Sequence, residues 1–359
     1  MERMPEAKPL PDLTLGTRLP TRLLNAFPAA WKRNHLIREC GGDKEPESFG
    51  FTDHLRAARR LVFAWPVDPI EILAAYPAAR ALAEALPPDS EFASLCEASS
   101  AALVQGLFPG AVLEWKASTT AWHDPSVRTL VGDLRRFAPE VVLVFSQTRY
   151  PAVLQAALRA SGARLRVGWE GATEAPFVNA LLRPDRAMPL AARFFRALDL
   201  WAYAGFTPGR HWTFLAPDTG RHESALREWE SKRAAPETTW LFVQDASRVH
   251  SLDGDLYEEL TRRVALRGEE RFTLGAVLWN PAMKPVSRQG AWLDAPVFNE
   301  TDFSAFLAAL DGARGVVGFH SFALHFASLI ETRALALLDP SESSYDVTGM
   351  NPLFEVDWV

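Results

Sequence analysis

Residues 60–86, RLVFAWPVDPIEILAAYPAARALAEAL, decide the fold. RLVFAW (60–65) reads as a short strand, Asp68-Pro69 as a helix start, and the Ala- and Leu-rich run from Pro69 to about Leu86 as a helix. Outward from this unit the same alternation continues. AVLEWK (111–116) and VVLVFS (141–146) are the next strands, with a helix around 126–137 between them. PAVLQAALRASGA then leads into RLRVGW (164–169), closing one doubly wound unit near residue 185. Short apolar strands alternating with helices predict a parallel sheet with crossover connections.

The plan then repeats. MPLAARFFRALDLWAYAG predicts a helix with Leu190, Phe194, Ala197 and Leu198 on one face, and a Pro-, Gly- and Thr-rich loop from Phe206 to Gly220 predicts a hinge. TTWLFVQD (238–245), FTLGAVLW (272–279), GVVGF (315–319) and RALALLD (333–339) read as strands of a second unit. Before the third of these, Phe303, Phe306, Leu307 and Leu310 fall at helical spacing, with Asn299 or Thr301 as the cap and Gly312 as the end. The expected division is an N-terminal extension at 1–58, a first nucleotide-fold domain at 59–188, a linker at 189–220, a second such domain at 221–345 and a tail at 346–359. The tail stretch GMNPLFEVDWV gives no assignable pattern.

Composition narrows the function. The 359 residues exceed one ordinary domain, and 48% apolar with 23% charged residues suits soluble globular cores. Lys+Arg against Asp+Glu is 22 to 21 over residues 1–190 and 16 to 23 over 191–359, summing to the chain's 38 and 44, which offers no basic face for nucleic acid. Cys40 and Cys96 form neither a C-x-x-C pair nor a cluster of metal-ligand spacing, so no metal site is expected. The opening MERMPEAKPLPDL lacks the apolar run of a signal peptide and no stretch approaches ~18–20 apolar residues, which predicts a cytoplasmic protein. G-x-G-x-x-G, P-loop and G-x-S-x-G signatures do not occur. PDTG (217–220) has no helix after it and reads as a loop, and Asp253-Gly254-Asp255 reads as a turn before a helix rather than a metal motif.

Three segments in order carry a resemblance to a known family. LVFAWPVDPIEILAAYPAARALAEAL resembles the family 9 glycosyltransferase opening, a strand and Gly-Asp loop before a helix with a Thr-Pro-Ala-Leu-Arg-like stretch. The match sets Glu71 at the family's Asp and Ile70 at its Gly. EVVLVFSQTRYPAVLQAALRASGARLRVGWEG resembles the family's strand, Gln-containing loop, helix and Arg-Ile-Gly-Phe-like strand. DFSAFLAALDGARGVVGFHSFALHFASLIETRALALLDPSE resembles the helix and strand that lead into an Asp-Thr-Gly-x-x-His-x-Ala motif. There His320 replaces the acid, Ser321 stands for Thr, Phe322 replaces Gly, and His325 and Ala327 are kept. The resemblance spans about Arg60 to Glu342. It implies an α/β fold of the GT-B type, two Rossmann-like domains facing across a cleft, and sugar transfer without a metal or resident cofactor. The implied partners are a nucleotide-sugar donor (ADP-heptose in the lipopolysaccharide heptosyltransferases of this family) and a glycan or glycolipid acceptor met at the inner face of the membrane.

Each candidate residue carries two readings. Inverting sugar transfer needs a carboxylate to take the acceptor's proton, and donors to hold the departing diphosphate. Glu71 is the candidate base; it is equally the N3 position of a capping box begun by Asp68 and Pro69. Ser321 and His325 share a helix face and meet the donor diphosphate, or cap the helix and pack under the sheet. His320 adds a cation there, or is a solvated loop residue. Ser247 and Arg248 stand where the family has its second phosphate-contacting loop, with Asp245 opposing them. Gln147 and Arg149, beside Thr148, are acceptor contacts on the first domain, Arg149 otherwise a surface arginine. Trp169, Glu170 and Phe177 to Asn179 are placed to line the same cleft, although the twelve tryptophans suit core packing better. A glycosyltransferase is the first expectation; the loss of the donor glycine and acid supports an alternative from a different class, a catalytically silent relative that kept the scaffold for binding or assembly. A sugar-nucleotide epimerase requires other carboxylates.

Overall fold

The computed structural model describes residues 36–38, 40, 50–108, 110–116, 122–185, 188, 190–209, 227, 229, 235–245, 251–269, 271–280, 283–300, 303–319, 321–330, 332–338 and 354–358. The first sheet contains β1 (Arg60–Ala64), β2 (Glu91–Glu97), β3 (Ala111–Trp115), β4 (Val141–Val144), β5 (Leu165–Trp169) and β6 (Ala180–Leu182), all parallel, in the order β3-β2-β1-β4-β5-β6. The main second sheet contains β7 (Thr239–Asp245), β9 (Thr273–Trp279), β11 (Val297–Glu300), β12 (Gly315–Phe319), β13 (Ala334–Leu338) and β14 (Phe354–Trp358), again parallel, in the order β11-β9-β7-β12-β13-β14. The short strands β8 (Ser251–Leu252) and β10 (Ser287–Arg288) pair separately. In each large sheet the chain reverses its winding at one place: between β1 and β4 in the first, between β7 and β12 in the second. Such switch points leave a crevice at the carboxyl ends of the strands.

The helices follow from capping and burial. Before β1 lies α1 (Phe51–Ala57), tied to the sheet by Leu55 in the core and by His54, whose Nε2 lies 3.0 Å from the Glu140 carbonyl. After β1, Asp68 accepts from the Ile70 N–H at 2.9 Å and Pro69 takes the first turn of α2 (Pro69–Ala85). This helix is apolar nearly all round because it is covered on two sides, by the first sheet and by helices beyond it. The remaining helices of the first half are α3 (Ala101–Leu107), α4 (Pro125–Phe137), α5 (Ala152–Ala160), α6 (Leu190–Phe194) and α7 (Arg196–Tyr203). The single helix expected at 190–203 is therefore two, divided at Phe195, which lets Phe194 stack edge-on to Trp169 and Phe145. The second half adds α8 (Gly254–Ala265), N-capped by Asp253, then α9 (Phe303–Asp311) and α10 (Phe322–Leu329).

Asn299 is a residue of β11 and accepts from Asn280 Nδ2 at 2.8 Å, so it is not the cap of α9; Thr301 lies outside the described residues. The unassigned tail supplies β14, whose Glu355 and Asp357 are bound by Arg263 and Arg267 around α8 and by Arg333. Strands β2, β6 and β11 also went without a sequence signal of their own.

One apolar core runs through both halves. It joins Leu61, Phe63 and Leu73 with Leu241, Val277, Leu324 and Phe326, because α2 packs against α10 and α3 against α9. The opposite faces of the sheets have separate cores, Val62 to Ala163 on the first and Trp240 to Leu337 on the second. Gly318 in β12 lets β7 approach its switch-point neighbour: a Cβ there would stand 2.6 Å from the Val243 carbonyl oxygen. Gly318→Ala is expected to cost about 1–3 kcal/mol as the strands are forced apart, measured by urea unfolding; a change below the error of the midpoint would contradict the close approach.

Candidate functional site

At the first switch point, the carboxylate of Glu71 is the centre of a hydrogen-bonded knot. It is 2% exposed. Its Oε1 accepts from the backbone N–H of Gln147 and, at 3.1 Å, of Thr148, while Oε2 accepts from Thr148 Oγ1 at 2.9 Å and Ser146 Oγ at 3.2 Å. Glu71 is thus a strut from the first turn of α2 to the loop after β4, and not the reciprocal partner of Asp68 in a capping box. Burial pushes its carboxyl above the ordinary value, while bonds from Gln147, Thr148 and Ser146 pull the other way.

The knot has one loose member. A hydroxyl has one proton to give, and Ser146 Oγ also stands 3.1 Å from the Thr148 carbonyl. When Ser146 donates to that carbonyl, Oε2 keeps the Thr148 hydroxyl as its donor and has a lone pair to spare. A desolvated carboxylate of raised proton affinity with one spare acceptor position can serve as a general base.

At the second switch point, Ser321 N-caps α10 with its Oγ accepting from the Leu324 N–H at 3.4 Å. Ser321 is 1% exposed, and His325 is buried one turn on. The first-turn amides of such a helix have no intrahelical acceptor and carry the positive end of its dipole, which suits a diphosphate. Ser247, Arg248 and His320 lie outside the described residues, as does PDTG.

The other expected residues divide. Gln147 is half-buried and joins the Glu71 knot through its backbone, whereas Arg149 is exposed. Trp169 does not line a cleft: it is sealed in the core against Phe194. Phe177 is also buried, and Asn179 is spent on the backbone of Arg166 and Arg164. Glu170 faces solvent, 3.6 Å from Arg183. Sequence reasoning missed Ser146 as a partner of Glu71; the signal was a polar Ser-Gln-Thr run ending an apolar strand.

Two parallel six-stranded sheets, each with buried polar residues at its switch point, define a protein of the GT-B fold. Among solved structures, the chain is similar to a glycosyl transferase family 9 protein from Veillonella parvula, with a TM-score of 0.60 at 12% identity over 84% of this chain and 86% of the other. It is likewise similar to ADP-heptose lps heptosyltransferase II of E. coli (0.58, 13%, 83% and 90%) and to E. coli heptosyltransferase WaaC with ADP (0.56, 14%, 84% and 93%). No family model and no curated protein matches the sequence.

Proposed function

We propose that this chain is a glycosyltransferase that moves a heptose-like sugar from a nucleotide-diphosphate donor, of the ADP-heptose kind, to a hydroxyl of a cell-envelope glycan such as lipopolysaccharide core. The observation that carries the reading is the Glu71 carboxylate, desolvated and held at one switch point while a helix N-terminus occupies the other. The acceptor oxygen attacks the anomeric carbon and its proton passes to Glu71 Oε2. The bond from that carbon to the diphosphate breaks, and its electron pair leaves with the diphosphate oxygen toward the amides at the start of α10. Residues 59–188 would be the acceptor side, with Gln147 and Arg149, and 221–345 the donor side, with Ser321, His325, His320, Ser247 and Arg248. No described helix is long and apolar enough to cross a membrane, and a glycolipid acceptor would be met peripherally at the inner face from the cytoplasm.

A second reading is favoured by the same residue. Four donors on one nearly sealed carboxylate also describe a structural strut, and a chain that used Glu71 only so would be a silent relative with a binding or assembly role. Thermal unfolding with ADP, UDP, GDP and their sugars tests the first reading. A nucleotide at a hundred times its dissociation constant stabilises the folded chain by about 2.7 kcal/mol, and the absence of a shift with every nucleotide would remove donor binding and the transferase with it.

A further inference from the structure

Gln155 is a polar side chain near the start of α5 that is 3% exposed and has no part in the chemistry above. Its amide is bonded at both ends to the backbone of two different loops. Nε2 donates to the Tyr150 carbonyl at 2.7 Å, and Oε1 accepts from the Glu174 N–H at 2.9 Å. The Tyr150 N–H donates in turn to the Ala172 carbonyl at 2.9 Å. Tyr150 is therefore held on both sides of its own backbone, and its ring is buried as well. At this residue the loop after β4 is fastened to α5 and to the loop between β5 and β6.

Little else gives that loop its shape. Phe145, next to β4, donates to the Ala64 carbonyl at 2.8 Å, but among the described residues no backbone-to-backbone hydrogen bond involves positions 146–149. Between these two fixed ends the Gln147 and Thr148 amides turn onto Glu71. Amides without a ladder partner stay where their acceptor and the neighbouring chain hold them. The Thr148 amide stands only two residues before the Tyr150 tie. A carboxylate is aimed by its donors, and those donors are only as fixed as the groups behind them.

We propose that Gln155 is the positioning residue of Glu71: by clamping Tyr150 to the β5–β6 loop, it sets the Gln147 and Thr148 amides that aim the carboxylate at the acceptor hydroxyl. Its effect on turnover rests on the proposed transferase reading; its coupling to Glu71 does not. Gln155→Met keeps the length of the side chain and removes both bonds, so a cycle of Gln155→Met, Glu71→Ala and the double variant, read by urea unfolding of the full chain, isolates the coupling. The midpoint of the double variant should lie above the value given by summing the two single shifts, because a displaced loop has already withdrawn its amides from Glu71. Additive shifts would mean that Gln155 holds only its own surroundings and would overturn the proposal. Should Gln155→Met not fold, Gln155→Asn, whose shorter amide cannot span both partners, enters the same cycle with the same requirement. In turnover, Gln155→Met should lower kcat by about 10–100-fold, the cost of a misplaced group, with the KM for the nucleotide sugar close to wild type, and should add little to the loss made by Glu71→Gln. A loss carried by KM, or one that persists in full on the Glu71→Gln background, would overturn it. A less-than-additive cycle in a wild type that shows no turnover would uphold the tie between Gln155 and Glu71 and overturn the transferase reading.

Discussion

Glu71→Ala is expected to destabilise the fold by about 3 kcal/mol, measured by urea unfolding of purified protein. The substitution deletes the acceptor of the Gln147 and Thr148 amides and of the Thr148 hydroxyl at once. Ser146 would be spared, because it has the Thr148 carbonyl at 3.1 Å. The exposed Thr148 hydroxyl would turn to water, which leaves the two backbone donors as most of the loss. Relief of burying a charge offsets part of it, as the raised proton affinity of Glu71 implies. A loss under about 1 kcal/mol would mean that the loop after β4 holds its shape without the carboxylate.

Glu71→Gln is expected to keep the fold and lose the chemistry. The amide oxygen can accept from both backbone N–H groups, while its NH2 donates to the hydroxyls of Ser146 and Thr148, which can accept as readily as donate. Turnover should fall by a factor of about 10²–10⁴, the usual worth of a general base, with the midpoint of unfolding close to wild type. Retained turnover would reduce Glu71 to a strut. Stability against pH gives a second readout. Burial raises the folded-state proton affinity above that of the unfolded chain, so Glu71 contributes most at low pH, below the unfolded value. That contribution is lost as pH rises through the folded value, and it is absent from the Gln variant. Wild type should therefore lose stability relative to Glu71→Gln as pH climbs out of the ordinary carboxylate range, then run parallel to it.

Much of the fold could be read from residues that do two jobs. Asp68-Pro69 both ends the β1 loop and starts α2, and the doubled strand–helix order gives two sheets. What escaped did so for physical reasons. In β2, EFASLCE, the buried Ser94 and Cys96 dilute the β-branched signal; Ser94 is there to accept from Trp65 Nε1 at 2.9 Å. Strand β14 carries Glu355 and Asp357 because arginines on neighbouring elements neutralise them, which no local pattern reveals. The carboxylate of Glu71 was visible as a helix-start residue, but its partners lie 75 to 77 positions away and meet it only through the β1–β4 pairing.

The site's geometry rests on a donor diphosphate lying against the first turn of α10, between the two switch points. A crystal structure with ADP tests this most directly. The account requires the diphosphate at the amides following Ser321, with its far end open toward Glu71. A nucleotide bound elsewhere, or with its diphosphate away from Ser321, would contradict it.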